Sequence, residues 1–496
     1  MIAGPPSAGL SCDEGGVWSA ATLSQPLRAD ARAPPTPRVS TAMPQLRRPV
    51  HRFPVRHRLD RIVPAVLLPG LLSGWLAWGV APAPVLAQFQ RAAADGKAGA
   101  EDAAAASVAR FTPPPPGRPV TAPKSGETPL IGLHTECFDP TAKAETLHGQ
   151  IAGTGVPRQP RLSAAERDVE ADFAAWVQED PRRATEAALR LAQASGSAEQ
   201  PIFEVDGVKR LVPEYGAGGK AASPEEYRFR LEHNHALHPT AVAVARLAFI
   251  ERLDELAALP EDHPRKRIFV TNGGCAAGKG SLTGIVKDAL GDKATFGAVW
   301  DAAGEGDALE NAWILRAALH RGITVVYGYA EANPVTRYQG VLERGEDTGR
   351  VVDVMTFVNS YADGAAVFRD FLGSAEYEQA VSADRAAAFG INPGEFDLGS
   401  LTDKSKPAFP NLRNLSPEGT LRPDNIAPPP DRQAALEASL KILEQYVAKV
   451  RAAGKDPLPV ARGALDNAIK FLDDQPPEVR AVVRASHERI FGEQPR

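Results

Sequence analysis

An apolar run, Arg267-Ile268-Phe269-Val270-Thr271, leads into Gly273-Gly274-Cys275-Ala276-Ala277-Gly278-Lys279-Gly280-Ser281, and a helical pattern from Leu282 to Leu290 follows. A strand that turns at glycines into a helix sets backbone amides at a helix N-terminus, where the dipole favours an anion. In the spacing G-x-x-x-x-G-K the lysine reaches the β and γ phosphates of a nucleotide and the hydroxyl after it meets magnesium. Gly280 intervenes here, and Ser281 comes one place later. Residues 273–281 are expected to cradle ATP and Mg2+. A glycine-rich turn that binds nothing is the plainer alternative, and the order strand, loop, helix argues against it.

The neighbouring segments read as an α/β fold. A helix after Pro239-Thr240, with Val242, Ala245, Leu247, Ile250, Leu253 and Leu256 on its face, precedes the strand. Beyond the loop, Phe296 to Trp300 reads as a short buried strand ending at Asp301. Ala308 to His320 reads as a helix, Ile323 to Tyr327 as a strand, and Asn333 as the cap of a helix that opens with Pro334. Alternating strands and helices imply a parallel sheet with helices on both faces, and Asp301 would stand at its carboxyl edge, where such sheets bind ligands. The expected class is an α/β, P-loop NTPase or kinase-like parallel sheet flanked by helices, with helical N- and C-terminal extensions.

The expected divisions are a Pro/Ala-rich irregular segment over 88–163, a helical extension over 164–237, the core over 238–385, a Pro-rich linker over 386–430 and a helical region over 431–496. In the extension, Val169, Phe173, Trp176 and Val177, then Ala184, Ala188, Leu191 and Ala192, form two amphipathic helices broken near Pro181. In the last region, Leu436, Leu440, Leu443, Val447 and Val450 recur at steps of four and three after Asp431. That stripe is a packing face for the chain's own core, with a partner-binding helix as the second reading.

The 496 residues leave room for two or three domains, and 43% hydrophobic with 24% charged residues is the balance of a globular chain. A net charge of -5 argues against general nucleic-acid affinity. Three cysteines, Cys12, Cys137 and Cys275, do not make a disulfide framework. A Cys137 to Cys275 bridge would distort the loop, so unpaired thiols are the simpler reading. His233, His235 and His238 are spaced closely enough for a transition metal, but no second ligand motif accompanies them and a surface turn explains them.

Arg47, Arg48, Arg52, Arg56, Arg58 and Arg61 precede an uncharged run from Ile62 to Gln90, in which Val85 and Ala87 suit a cleavage site. This is the layout of a secretory signal peptide cleaved near Ala87. Residues 1–87 are then an export region, with 1–42 upstream of an alternative start at Met43, and the product is periplasmic or secreted. An uncleaved membrane anchor is the competing reading, against which Pro64, Pro69, Pro82 and Pro84 count. No membrane contact is expected beyond this segment. Arg47-Arg48 before Phe53 fits a twin-arginine pattern poorly and reads better as ordinary positive charge.

The segment from about His238 to Leu372 resembles the zeta-toxin family of P-loop kinases. The likeness lies in the order of helix, strand and GGCAAGKGS loop, and in the run Tyr327 to Arg350, where Arg337, Arg344 and Arg350 flank Glu346-Asp347-Thr348-Gly349. The G-K-G-S ending is also similar to adenylate-kinase-like loops, a resemblance that implies Ser281 as the magnesium residue. Zeta-toxin family members phosphorylate UDP-N-acetylglucosamine, related UDP-amino sugars or other targets. The resemblance therefore implies an ATP-dependent kinase with a hydroxyl acceptor, a UDP-sugar among the candidates, and an antitoxin-like protein partner. It implies two lid arginines on the triphosphate, matched best by Arg337 and Arg350 with Arg344 in reserve. Guanidinium groups suit the charge spread over the equatorial oxygens of a phosphoryl transition state. It also implies a general base, an Asp after a second strand. One β-α unit is missing from the pattern between the loop helix and Ile323, so Asp301 stands for either the base or the magnesium carboxylate, with Glu305 and Asp307 as neighbouring alternatives.

Three functions compete. The first is an exported kinase with Lys279 and Ser281 on ATP and magnesium, Arg337 and Arg350 on the triphosphate, and Asp301 as base. Because the extracytoplasmic space is poor in ATP, this kinase would act in a recipient cell's cytoplasm. The missing β-α unit favours the second, a catalytically degenerate nucleotide-binding or partner-binding module. The third, a small-molecule kinase of the adenylate or shikimate type, leaves the long flanks and the export signal without a role.

Overall fold

The apolar runs Ile268-Phe269-Val270, Ala298-Val299-Trp300 and Val325-Val326-Tyr327 show no inside-outside alternation, as in strands covered on both faces. The computed structural model describes residues 141–156, 161–279, 282, 295–301, 308–330, 334–391 and 431–492. Among these, β1 (Ile202–Phe203), β2 (Arg267–Gly273), β3 (Ala298–Asp301), β4 (Thr324–Ala330) and β5 (Ala386–Ile391) pair in parallel throughout, in the order β1-β3-β2-β4-β5.

The helices in chain order are α1 (Ala144–Thr154), α2 (Ala164–Glu179), α3 (Pro181–Ser195), α4 (Val205–Lys209), α5 (Pro224–His233), α6 (His238–Ala257), α7 (Ala308–His320), α8 (Pro334–Thr348), α9 (Val354–Leu372), α10 (Ala375–Ser382), α11 (Arg432–Ala452), α12 (Leu458–Lys470) and α13 (Pro477–Phe491). Lys279 and Leu282 are also helical. Starts follow local chemistry. Ser163 and Glu166 form a reciprocal capping box on α2, and Asp180 caps α3, which has Pro181 at its first position. The Asp353 carboxylate accepts from the Met355 and Thr356 amides at the head of α9.

Helices cover both faces of the sheet. Phe368 of α9 lies 4.7 Å from the Tyr327 ring and stacks on Tyr329 at 5.0 Å. The intervening Gly328 faces the other way, because side chains alternate along a strand. A methyl group there would meet Phe269 at 2.8 Å and Leu282 at 2.9 Å. At the other end of the sheet, Phe249 of α6 packs edge-on to Phe203 of β1 and beside Trp300 of β3, both at 5.1 Å.

Several segments differ from the sequence reading. The irregular 88–163 segment contains α1. The 164–237 extension is not wholly helical, because Ile202 and Phe203 pair with Val299 and Trp300 as an edge strand. Of the expected 386–430 linker, Ala386–Ile391 is the opposite edge strand, its alanines giving no β-branched signal. β4 runs three residues past Tyr327. The two helices around Pro181 and the helices over Ala308–His320 and after Asp431 lie where the periodicity puts them. Leu436, Leu440, Leu443, Val447 and Val450 are buried, with α11 packed on α8 and α9. Its stripe therefore belongs to the chain's own core.

Cys12, Cys137, the export segment, Asn333 and most of the helix expected over 282–290 lie outside the described residues. Cys275 is buried and forms no disulfide among the described residues. No helix among them is long and apolar enough to cross a membrane.

Candidate functional site

The loop after β2 leaves the carboxyl edge of the sheet in a shape that glycine permits. Gly273 has φ +140°, and a methyl group there would lie 2.6 Å from the Ala330 carbonyl oxygen of the neighbouring strand. Gly278 has φ +96°, and Ala276 adopts the left-handed region at +59°, a conformation that costs a residue with a Cβ and marks an externally held backbone. Lys279 Nζ donates to the carbonyl oxygens of Gly273, at 3.1 Å, and Gly274, at 3.0 Å. The ammonium thus closes the mouth of the turn from which its own backbone departs. Gly280 and Ser281 lie outside the described residues.

Under the loop, Asn272 is fully buried. Its side-chain amide donates to Tyr327 Oη at 2.8 Å and to the Gly364 carbonyl at 3.0 Å, while its Oδ1 accepts from the Gly273 amide. One residue earlier, Thr271 Oγ1 donates to Asp301 Oδ1 at 2.8 Å, joining the carboxyl ends of β2 and β3. Asp301 is part-exposed at the strand end where the sequence puts it, next to the loop's entry. Glu305 and Asp307 lie outside the described residues.

α9 forms the wall behind the loop. Ser360 Oγ accepts from the Cys275 amide at 3.0 Å, and Tyr361 Oη donates to the Cys275 carbonyl at 2.9 Å. Burial pushes the Tyr361 hydroxyl well above its ordinary range, neighbouring Cys275 adds to this, and the Arg337 guanidinium opposes it. Arg337 of α8 thus acts on Tyr361, and its Nε is buried without a hydrogen-bond partner among the described residues.

The other two arginines part from it. Arg344 is exposed on α8. Arg350 pairs with Asp206, which follows β1 in α4. Asp206 Oδ1 also accepts from Lys209 Nζ at 2.9 Å. The almost wholly buried Lys209 donates further to Asn234 Oδ1 at 3.0 Å, and Tyr215 Oη donates to that same oxygen at 2.7 Å. Burial alone would raise the Asp206 carboxyl, but Arg350 and then Lys209 hold it well below the usual carboxylate range. Arg350 is itself raised despite burial, Asp206 being the largest favourable influence, followed by Tyr215 and Glu204.

Sequence reasoning missed this cluster. Its members are spread from Glu204 to Arg350, and an Asp-x-x-Lys pair on a five-residue helix carries no motif. Ser360 and Tyr361 were equally unmarked, lying in a helix whose apolar pattern suggests only packing.

His235 and His238 lie close enough to act on each other, but the three histidines do not form one group. His233 lies against Phe229 at 4.7 Å and His235 faces Phe471 at 6.4 Å. His238 neighbours Lys209 and Asp206, and burial foremost brings it down to about 3. Among the described residues no group of three or more His, Cys, Asp or Glu side chains is arranged to hold a metal ion. No protein-family model matches the sequence, and no curated protein matches it.

Proposed function

We propose that the chain is an ATP-binding P-loop phosphotransferase that moves the γ-phosphoryl group to a hydroxyl acceptor, with a UDP-amino sugar as the first candidate class. The observation that carries this reading is the joining of Thr271 and Asp301 at the foot of the loop that Lys279 closes. A cation for phosphate and a carboxylate at the adjacent strand end are what phosphoryl transfer requires within one small space. Lys279 holds the β and γ phosphates. With one oxygen fixed by Thr271, Asp301 offers the other to the acceptor hydroxyl or, together with Ser281, to magnesium, which would neutralise charge on the phosphate oxygens. The acceptor oxygen bonds to the γ-phosphorus as the bond from that phosphorus to the β,γ-bridging oxygen breaks. ADP leaves, and the acceptor proton passes to the Asp301 carboxylate and on to solvent. Arg337 is the arginine of choice for the triphosphate, because Arg350 is engaged by Asp206.

Asp206 is the weaker base, because an anion stabilised by two cations is a poor proton acceptor. The degenerate-module reading drew its support from a missing β-α unit. β1 completes a five-stranded sheet but precedes the loop, so among the described residues β3 is still the one strand between the loop and β4, and that support for the degenerate-module reading stands. An exported product would use ATP inside a recipient cell, and an antitoxin-like partner would protect the producer. The test is ADP release by the whole chain from ATP and magnesium, with and without a panel of UDP-sugars. Acceptor-stimulated release, reduced at least about 100-fold by Lys279→Ala, is expected. Equal release by the wild type and this variant would refute the assignment.

A further inference from the structure

Both polar groups of the Cys275 residue are taken by consecutive residues of α9, the amide by Ser360 Oγ and the carbonyl by Tyr361 Oη. Ser360 is fully buried and donates its own proton to the Phe357 carbonyl at 2.8 Å, which leaves its oxygen as an acceptor for the loop. One helical turn on, the Gly364 carbonyl accepts from Asn272. The Tyr361 ring lies so close to Gly274 that a methyl group there would fall on it. Directly after the anchored residue, the chain reverses through Ala276 in the left-handed region. Alternating right- and left-handed residues turn successive amides toward one concave side.

Resting on the nucleotide-binding reading above, we propose that Ser360 and Tyr361 are positioning residues that preset the loop for a nucleoside triphosphate by holding Cys275 out of the phosphate cradle. Neither touches the phosphates. They remove a backbone ordering cost that binding would otherwise meet. A purely structural role would lower thermal stability and leave nucleotide affinity unchanged.

The experiment measures the Kd of magnesium-ATP for the whole chain and for Lys279→Ala, Ser360→Ala, Ser360→Thr, Tyr361→Phe and Tyr377→Phe, with thermal melts alongside. Ser360→Ala and Tyr361→Phe are each expected to weaken binding about 3- to 10-fold, the worth of one net hydrogen bond. Ser360→Thr keeps the hydroxyl and is expected to bind as the wild type does. Tyr377→Phe loses a buried hydroxyl that has no partner among the described residues and is expected to leave affinity unchanged. Should Ser360→Ala fail to fold, Tyr361→Phe, which keeps the ring, decides alone. Wild-type affinity in Ser360→Ala and Tyr361→Phe, with binding lost in Lys279→Ala, overturns the proposal and leaves the nucleotide reading standing. No binding by the wild type, or equal binding by Lys279→Ala, overturns both.

Discussion

At the scale of single residues, the pair Asp206 and Arg350 shows how the fold redirects a side chain. Arg350→Ala leaves Asp206 with Lys209 alone. The expected loss is about 1–2 kcal/mol in urea unfolding, the lower part of the range for a charged hydrogen bond because the Asp206 side chain is 39% exposed. Since the folded carboxyl titrates below its unfolded value of about 4, the contribution of this pair is complete above that pH and is lost as pH falls toward the folded value. The buried histidines act in an earlier window. His238, held down to about 3, and His235, held down to about 4, stay neutral in the fold while the unfolded chain takes up protons below about 6.5. Stability is therefore expected to fall between about pH 6.5 and 4, and His238→Gln should flatten that slope in urea midpoints measured across the range. Arg350→Ala should instead alter the slope below about pH 4.

Among the elements, β1 does most with least sequence. It has two residues, yet Phe203 is 2% exposed and Val299 donates its amide to the Pro201 carbonyl at 2.9 Å. Phe203→Ala should cost about 3–5 kcal/mol, measured by denaturant unfolding, because the cavity opens against both Phe249 and Trp300. Elements with a period were legible: α7, with Trp313, Ile314, Ala317 and Ala318 buried, and α11, whose Asp431 side chain caps the Ala434 amide. The central strands were legible as apolar runs. β1 was not, because two residues carry no alternation and their strand partner among the described residues lies far along the chain. The end of β4 was missed because the apolar run that marks it stops at Tyr327, whereas Gly328 continues the strand and its missing side chain makes room for Phe269 and Leu282. The candidate site divides the same way. Lys279 and Asp301 are marked by motif and strand end, while the link between Asp206 and Arg350 spans 144 residues and exists only through tertiary structure.

Over the whole molecule, the C-terminal helices close the structure rather than hang from it. Arg432 binds Asp363 and donates to Asn359 at 3.2 Å, gripping the same α9 that backs the loop. Lys470 of α12 pairs with Glu166 of α2 at 2.8 Å, and Lys455 donates to Glu346 of α8 at 2.6 Å. A chain ending before Asp431 would expose the faces of α8 and α9 that now cover Leu436, Leu440 and Leu443. It is expected to lose the cooperative thermal transition shown by the full chain, as read by circular dichroism.

The strand order also constrains how the protein is made. During synthesis β1 leaves the ribosome first, and its strand partner follows about a hundred residues later, a separation that slows pairing. β2 emerges in between, also without a strand neighbour. When β3 appears it pairs with both at once, on either side, so these four residues convert two solitary strands into a three-stranded sheet in one step. A nascent chain stalled just before Ala298 would carry two unpaired strands, a species that chaperones bind and that aggregates when they do not.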